Sequence, residues 1–328
     1  MSDLAPIAED VVLDPLVSHP PDYHVFHKFL ERCKDFPAIT TAVVWPLSEV
    51  AMKGTVEAAE EGLIEPTLIG DEAAMKALAA KMGVDISVFP ILHAETEGRA
   101  ADLGVAMCRS GNALAMMKGS LHTDELMKAA MARDTGLRTA RRISHVFIMD
   151  TPAYPRTLLI TDAAINIAPE LEDKVHIVQN AIDLAHALGI PEPKVALLSA
   201  VETVNPKIKS TLDAAALCKM ADRGQITGGI LDGPLAFDTA VSVKAASIKK
   251  LVSPVCGQAD ILVVPDLESG NMLAKQLEYL GGAQMAGIVL GARVPTILTS
   301  RADSAETRLT SCAVAVLLHY ATKPAVKV

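Results

Sequence analysis

Aromatic residues make up only 3% of this 328-residue chain, although half of its residues are apolar. Its core must therefore be built from Ala, Val, Leu, Ile and Met, a supply that suits Ala-rich helices packed on buried parallel strands. Basic charge is also short: 30 Lys and Arg stand against 39 Asp and Glu, a formal net charge of −9. A duplex-binding surface is disfavoured by that balance, whereas a small anionic substrate is not, provided cations converge locally. The five cysteines (Cys33, Cys108, Cys218, Cys256 and Cys312) are scattered, with no C-x-x-C pair. Neither a disulfide framework nor a structural zinc site is expected, and a reducing compartment is the natural setting. No apolar run is long enough to span a bilayer, and the acidic opening MSDLAPIAEDVVLDPLV has no signal-peptide pattern. A soluble cytoplasmic protein is the expectation.

Several motifs are missing as well. The chain contains no G-x-G-x-x-G, no G-x-x-x-x-G-K-[ST] and no G-x-S-x-G. These absences count against a dinucleotide fingerprint, a P-loop and an α/β-hydrolase elbow. His24 and His27 lie close together without a third ligand at metal spacing, and read as the start of a helix. No carboxylate cluster stands out as a metal site.

The chain does contain a steady alternation of short apolar runs and helical patterns. Strands are expected at Thr41–Trp45, Pro66–Ile69, Val88–Leu92, Ala113–Met117, Val146–Met149, Leu158–Thr161 and Val195–Leu198. Further ones fall at Gly229–Leu231, Ile261–Val264, Ala286–Leu290 and Thr296–Leu298. Helices fill the gaps, among them 172–188, 210–222, 269–280 and a last one over Ser304–Tyr320. This rhythm predicts an α/β fold with a parallel sheet covered on both faces. At this length two domains are the default.

Chemistry-bearing residues gather at strand-to-helix junctions, where free N–H groups and the positive helix end favour anions. In Leu298-Thr-Ser-Arg-Ala-Asp-Ser-Ala-Glu-Thr307, Arg301 offers a planar fork for phosphate and Ser300 a hydroxyl for an oxyanion. For Asp303 and Glu306 two readings stay open: catalytic carboxylates, or an N-cap pair that stabilises the last helix. Met117-Lys-Gly-Ser-Leu-His-Thr123 places Lys118, Ser120, His122 and Thr123 at a second junction, with a Thr-capped turn as the alternative. Pro265-Asp-Leu-Glu-Ser-Gly-Asn-Met-Leu-Ala-Lys275 puts Asn271 and Lys275 one helical turn apart. Asp232 to Asp238 reads as a Gly-Pro turn. Asp162 and Asn166 line a cleft or cap a turn. Arg138, Arg141 and Arg142 form the most basic stretch, a nucleotide-phosphate contact or a solvated face. Cys256 has no base nearby and reads as packing.

In order along the chain, the strings MKGSLHT, SHVFIMD, LLITDAAINIAP, VALLSAVE, DRGQITGGILDGPLAFD, DILVVPDLESGNMLAKQ and VLGARVPTILTSRADS resemble the phosphate acetyltransferase/phosphate butyryltransferase family. The resemblance runs from about Thr41 to the end. It implies the reaction acyl-CoA + phosphate ⇌ acyl phosphate + CoA, with coenzyme A as co-substrate and no permanently bound cofactor or metal. It also implies two α/β domains with a cleft between them, an isocitrate/isopropylmalate dehydrogenase-like architecture, and a homodimer. The first domain would hold 1–141 plus 293–328 and the second 142–292. Carried over residue by residue, Ser300 and Arg301 match the family's Ser-Arg pair, which assists the carbonyl and binds phosphate. Lys275 and Thr123 match anion-binding positions, while Lys118, His122 and Asn271 are further substrate-binding candidates. Acetyl-type members carry an Asp seven residues after the Ser, where this chain has Thr307. The thiol base then falls to Asp303 or Glu306, and the string Thr-Ser-Arg-Ala-Asp-Ser leans to the butyryl-type branch. Two other classes compete: a decarboxylating dehydrogenase needing a nicotinamide cofactor and metal, and an acyl-CoA-binding sensor without catalysis.

Overall fold

The computed structural model describes residues 24–299 and 303–321. The first part of the chain runs α1 (His24–Cys33), β1 (Ile39–Val44), α2 (Glu49–Glu60), β2 (Ile64–Gly70), α3 (Glu72–Met82), β3 (Ile91–His93), α4 (Glu97–Arg109), β4 (Ala115–Lys118) and α5 (Thr123–Ala130). The middle adds β5 (Ser144–Asp150), β6 (Leu158–Thr161), α6 (Leu171–Ala187), β7 (Lys194–Leu198), α7 (Lys209–Asp222), β8 (Ile230–Leu235), α8 (Phe237–Val241) and α9 (Val243–Ile248). The last part is β9 (Ile261–Val263), α10 (Leu267–Tyr279), β10 (Gln284–Leu290), β11 (Thr296–Ile297) and α11 (Ala305–Ala321).

Local chemistry accounts for many boundaries. Asp71 caps α3 by accepting from Ala74 N, and Gly83 ends it in the left-handed region. Asp266 caps α10 through Ser269 N. The third strand is shorter than the expected Val88–Leu92, because Phe89 N turns back to Ile86 O at 3.2 Å just before Pro90. The expected Gly-Pro turn after Leu231 is instead strand: β8 continues through Gly233 and Pro234 to Leu235. As the last strand of the sheet it leaves one edge unpaired, where a missing Pro N–H breaks no ladder.

Eleven strands among the described residues form one mixed sheet, in the order β3-β2-β1-β4-β11-β10-β5-β6-β9-β7-β8. β3, β2, β1, β4 and β11 run parallel to one another, as do β6, β9, β7 and β8. The antiparallel contacts β11–β10, β10–β5 and β5–β6 separate these sets, so the two sets point in opposite directions. The register nevertheless lines up their carboxyl ends. One row of paired residues crosses the sheet through Met117, Ile297, Ile288, Val146, Thr161 and Val263. Four of these six residues lie at or next to the ends of β4, β11, β6 and β9, so loops from both sets leave the sheet beside this row.

The core repeats the asymmetry. On one face a single apolar cluster runs from Ile39 and Val43 through Met117, Ile288 and Val146 to Val195, covered by α1, α2, α3, α6, α7 and α11. On the other face the core is split. Ala42, Val44 and Met116 pack under α4 and α5, whereas Phe147, Ile160 and Leu262 pack under α8, α9 and α10. The gap between these clusters lies over the row where the strand ends meet. Among the described residues, no helix is long and apolar enough to cross a membrane.

Candidate active site

A cavity of about 520 Å³ opens at this gap. Leu121, His122, Thr123 and Asp124 reach it from the turn after β4 and the start of α5, with Lys118 at the strand end. Leu298 and Thr299 come from the end of β11, Ala164 from the loop after β6, and Leu267, Asn271 and Lys275 from α10. His145 and Phe147 of β5 face it from the sheet.

Each position follows from its local sequence. In α5, His122 holds the cap position without a side-chain hydrogen bond, so the Thr-capped turn is not what forms. Thr123 is the first helical residue and lines the cavity. Ser120 turns away from it, donating to Trp45 O at 2.9 Å and accepting from Leu47 N. Gly270 lets α10 lie close to the loop after β6, because a Cβ there would stand 2.6 Å from Val264 Cγ2 and 3.0 Å from Ala163 Cβ. That approach brings Asn271 Nδ2 to 3.2 Å from Ala163 O, and Lys275 to the cavity one turn later. The loop itself is held by Asp162, whose carboxylate accepts from the backbone N–H of Ala164, Ile165 and Asn166 and from Asn166 Nδ2. Burial lifts the Asp162 carboxyl above its ordinary range against these four hydrogen bonds.

Cations dominate the deep side. Lys118 is 2% exposed, and its Nζ donates to Thr299 O at 3.2 Å and to Gly119 O at 3.4 Å. Lys275 Nζ donates to Glu278 at 2.8 Å and lies 3.8 Å from Asp303 Oδ1. Burial works most strongly against its charge, but the hydrogen bond to Glu278 and the fields of Asp303 and Glu278 outweigh it and raise its pKa. Behind them Arg308, buried in the first turns of α11, donates to Thr299 Oγ1. Burial lowers its pKa and Asp303 opposes the change, and a guanidinium stays charged in any case. Such a set of ammonium and guanidinium groups beside an open volume is suited to a phosphoryl group.

Five of the residues singled out in the sequence therefore share this cavity: Lys118, His122, Thr123, Asn271 and Lys275. Asp303 sits beside it, against Lys275. Glu306 is not brought there. It is exposed and accepts from Gln284 Nε2 at 2.9 Å, facing other depressions. The capping reading of Asp303 and Glu306 also gives way: Ser304 Oγ accepts from Thr307 N at 3.1 Å and takes the cap itself. Ser300 and Arg301 lie outside the described residues. Arg141 and Arg142 form ion pairs with Asp183 and Asp173 at 3.2 and 3.1 Å, away from the cavity. Burial raises the Cys256 thiol, in keeping with packing. His145, Phe147, Thr299 and Arg308 were not anticipated as site residues. The strand period of SHVFIMD sets His145 and Phe147 on one face, but the cavity they line is made by distant partners.

A family model described as "Phosphate acetyl/butaryl transferase" matches residues 99–316. The chain belongs to the phosphate acetyl/butyryl transferase family. Within that family it is 60% identical to a phosphate acetyltransferase of Rhizobium meliloti over 281 residues, 86% of this chain and 89% of that protein. It is 40% identical to a phosphate butyryltransferase of Clostridium acetobutylicum over 293 residues, 89% of this chain and 97% of that protein. Among solved structures, a branched-chain phosphotransacylase from Enterococcus faecalis V583 superimposes with a TM-score of 0.75 at 32% identity, covering 86% of this chain and 99% of that one. The lean to the butyryl-type branch is not supported by these identities, which are higher on the acetyl side.

Proposed function

We propose that this chain catalyses acyl-CoA + phosphate ⇌ acyl phosphate + CoA on short acyl groups, with acetyl and butyryl as candidates. The observation that carries the reading is the convergence of Lys118, Thr123, Asn271 and Lys275 on one cavity in a chain of this family. Transfer is direct, in a ternary complex. Lys275 and Arg301 hold phosphate, and one of its oxygens attacks the thioester carbonyl carbon. Ser300 and Lys118 stabilise the oxyanion of the tetrahedral intermediate. The C–S bond then breaks and the thiolate of CoA leaves. In the opposite direction Asp303 accepts the thiol proton. A free thiol has a pKa of about 8.5, so such a base matters near neutrality. Glu306, turned toward other depressions, is the weaker candidate.

The same reading takes the chain as two α/β domains of isocitrate/isopropylmalate dehydrogenase-like architecture. One holds 1–141 plus 293–328 and the other 142–292, with the cavity between them. The split core on one face of the sheet supports this division. A cytoplasmic homodimer is part of the proposal, and five free cysteines are in keeping with a reducing setting. Initial-velocity kinetics test the direct transfer. Intersecting lines for acyl-CoA against phosphate are expected, and parallel lines would indicate a covalent acyl-enzyme instead. Asp303→Asn should slow acylation of CoA more at pH 7 than at pH 9, where the thiol ionises unaided.

A further inference from the structure

The largest fully buried side chain among the described residues is a charged one, Arg308. Arginine is almost never buried unless its guanidinium is held, because the cation gives up its water. Room for it is made by α2, which lies against α11. A Cβ on Gly54 would stand 2.8 Å from Arg308 Cδ and 3.0 Å from Arg308 Cβ, so the bare backbone at position 54 leaves the stem its path. Both features run against stability, since glycine inside a helix is also less favourable than alanine. Departures of this kind gather at functional sites. The guanidinium donates to Thr299 Oγ1, and the carbonyl of the same residue accepts from Lys118 Nζ at 3.2 Å. Thr299 lies two residues beyond β11, which ends at Ile297, and it lines the cavity. Two buried cations, one from the end of β4 and one from α11, therefore grip one residue of the cavity wall by its two oxygens. Lys118 lines the cavity and Arg308 does not, so any influence of Arg308 on a substrate passes through Thr299.

We propose that Arg308 is a positioning residue for the transfer reaction: by holding the Thr299 hydroxyl it fixes the carbonyl that aims the Lys118 ammonium at the anion in the cavity. This rests on the acyl-transfer reading given above. A carbonyl beyond the end of its strand is free to swing unless something holds it, and an ammonium bonded to it would swing too. A misplacement of about 1 Å is enough to cost about 10² in rate. Arg308 touches no substrate and exchanges no proton. Its planar, permanently charged fork holds geometry.

The experiment measures phosphate-dependent thiol release from acetyl-CoA for the wild type, Arg308→Met, Thr299→Val, Thr299→Ser, Lys118→Met and the double variants. Thr299→Val removes the hydroxyl and keeps the carbonyl. It should lower kcat/KM for phosphate about tenfold, the worth of one charge-assisted hydrogen bond. Thr299→Ser keeps the hydroxyl and should stay within about threefold of wild type. Arg308→Met should lose as much as Thr299→Val, and joining the two should cost no more than about twofold further. In the Lys118→Met background, Thr299→Val should likewise cost no more than about twofold further, because its effect travels through Lys118. A merely structural loss would instead multiply with that of Lys118→Met. Multiplied losses, or a Thr299→Val enzyme within about twofold of wild type, overturn the role. If Arg308→Met does not fold, the Thr299–Lys118 cycle decides, since it leaves Arg308 in place. Absence of phosphate-dependent release from the wild-type enzyme removes the acyl-transfer reading itself, whereas multiplied losses in an active enzyme remove this role alone.

Discussion

Among the described residues lysine is buried in two places, and its charge is treated differently. Lys174, 5% exposed, is neutralised at 2.8 Å by Asp213, which also accepts from Lys209 at 2.8 Å. The space beside that pair is only about 10 Å³. Lys118, 2% exposed, donates to the backbone carbonyls of Thr299 and Gly119 and borders a cavity of about 520 Å³. The first arrangement is closed on itself and ties α6 to α7. The second borders a volume large enough to admit an anion. A buried lysine therefore points to function through the volume beside it as much as through its burial.

Substitutions should separate the two. Asp213→Asn carries the largest expected effect. Breaking a buried pair from one side costs about 3–5 kcal/mol, and urea unfolding should show it while the KM for phosphate stays unchanged. Its pH dependence has a definite sign. Burial raises the Asp213 carboxyl, but hydrogen bonds from Lys174 and Lys209 outweigh it and leave the pKa below the ordinary 3.8. The contribution to stability is then full above that value and is lost as pH falls through the folded pKa, so unfolding titrations of Asp213→Asn should lack this part of the acid limb. Lys118→Met and Lys275→Gln should do the reverse. Charge-assisted hydrogen bonds are worth about 1.5–3 kcal/mol, so kcat/KM for phosphate should fall roughly ten- to hundredfold in steady-state assays, with a smaller loss of stability than Asp213→Asn. Gly270→Ala should cost about 1–3 kcal/mol through overpacking against Val264 and Ala163, and should weaken phosphate use by moving Lys275. Ser304→Ala removes the cap of α11 for about 1 kcal/mol, readable as a small drop in thermal midpoint.

The sequence carried the scaffold because most of its signals are local. β6 spans Leu158–Thr161, as its run of apolar residues implies, and α6, α7 and α10 fall within two residues of their expected ranges. Lys118 with Thr123, and Asn271 with Lys275, were legible for the same reason, since each pair sits on one strand-to-helix junction or one helical turn. What remained hidden depends on distant partners. Nothing in SHVFIMD announces that Gly287 and Leu298 will enclose the ring of His145, nor that Arg308 will reach back to Thr299. Asp303 and Glu306 looked like a cap because their spacing fits one, yet Ser304, one residue later, accepts from Thr307 N and takes the cap. α8 and α9 were missed because five and six residues are too few to establish a helical period. The opposition of the two parallel strand sets, which brings both groups of loops to one cavity, is set by sheet order and has no signature within any single segment.

The central claim is that phosphate is the acyl acceptor at the Lys118–Lys275 cavity. Thiol release from acetyl-, propionyl- and butyryl-CoA, each with and without phosphate, tests it most directly. Release that requires phosphate and is matched mole for mole by acyl phosphate is the predicted result. Release that proceeds equally without phosphate, or none from any of the three thioesters, would contradict it.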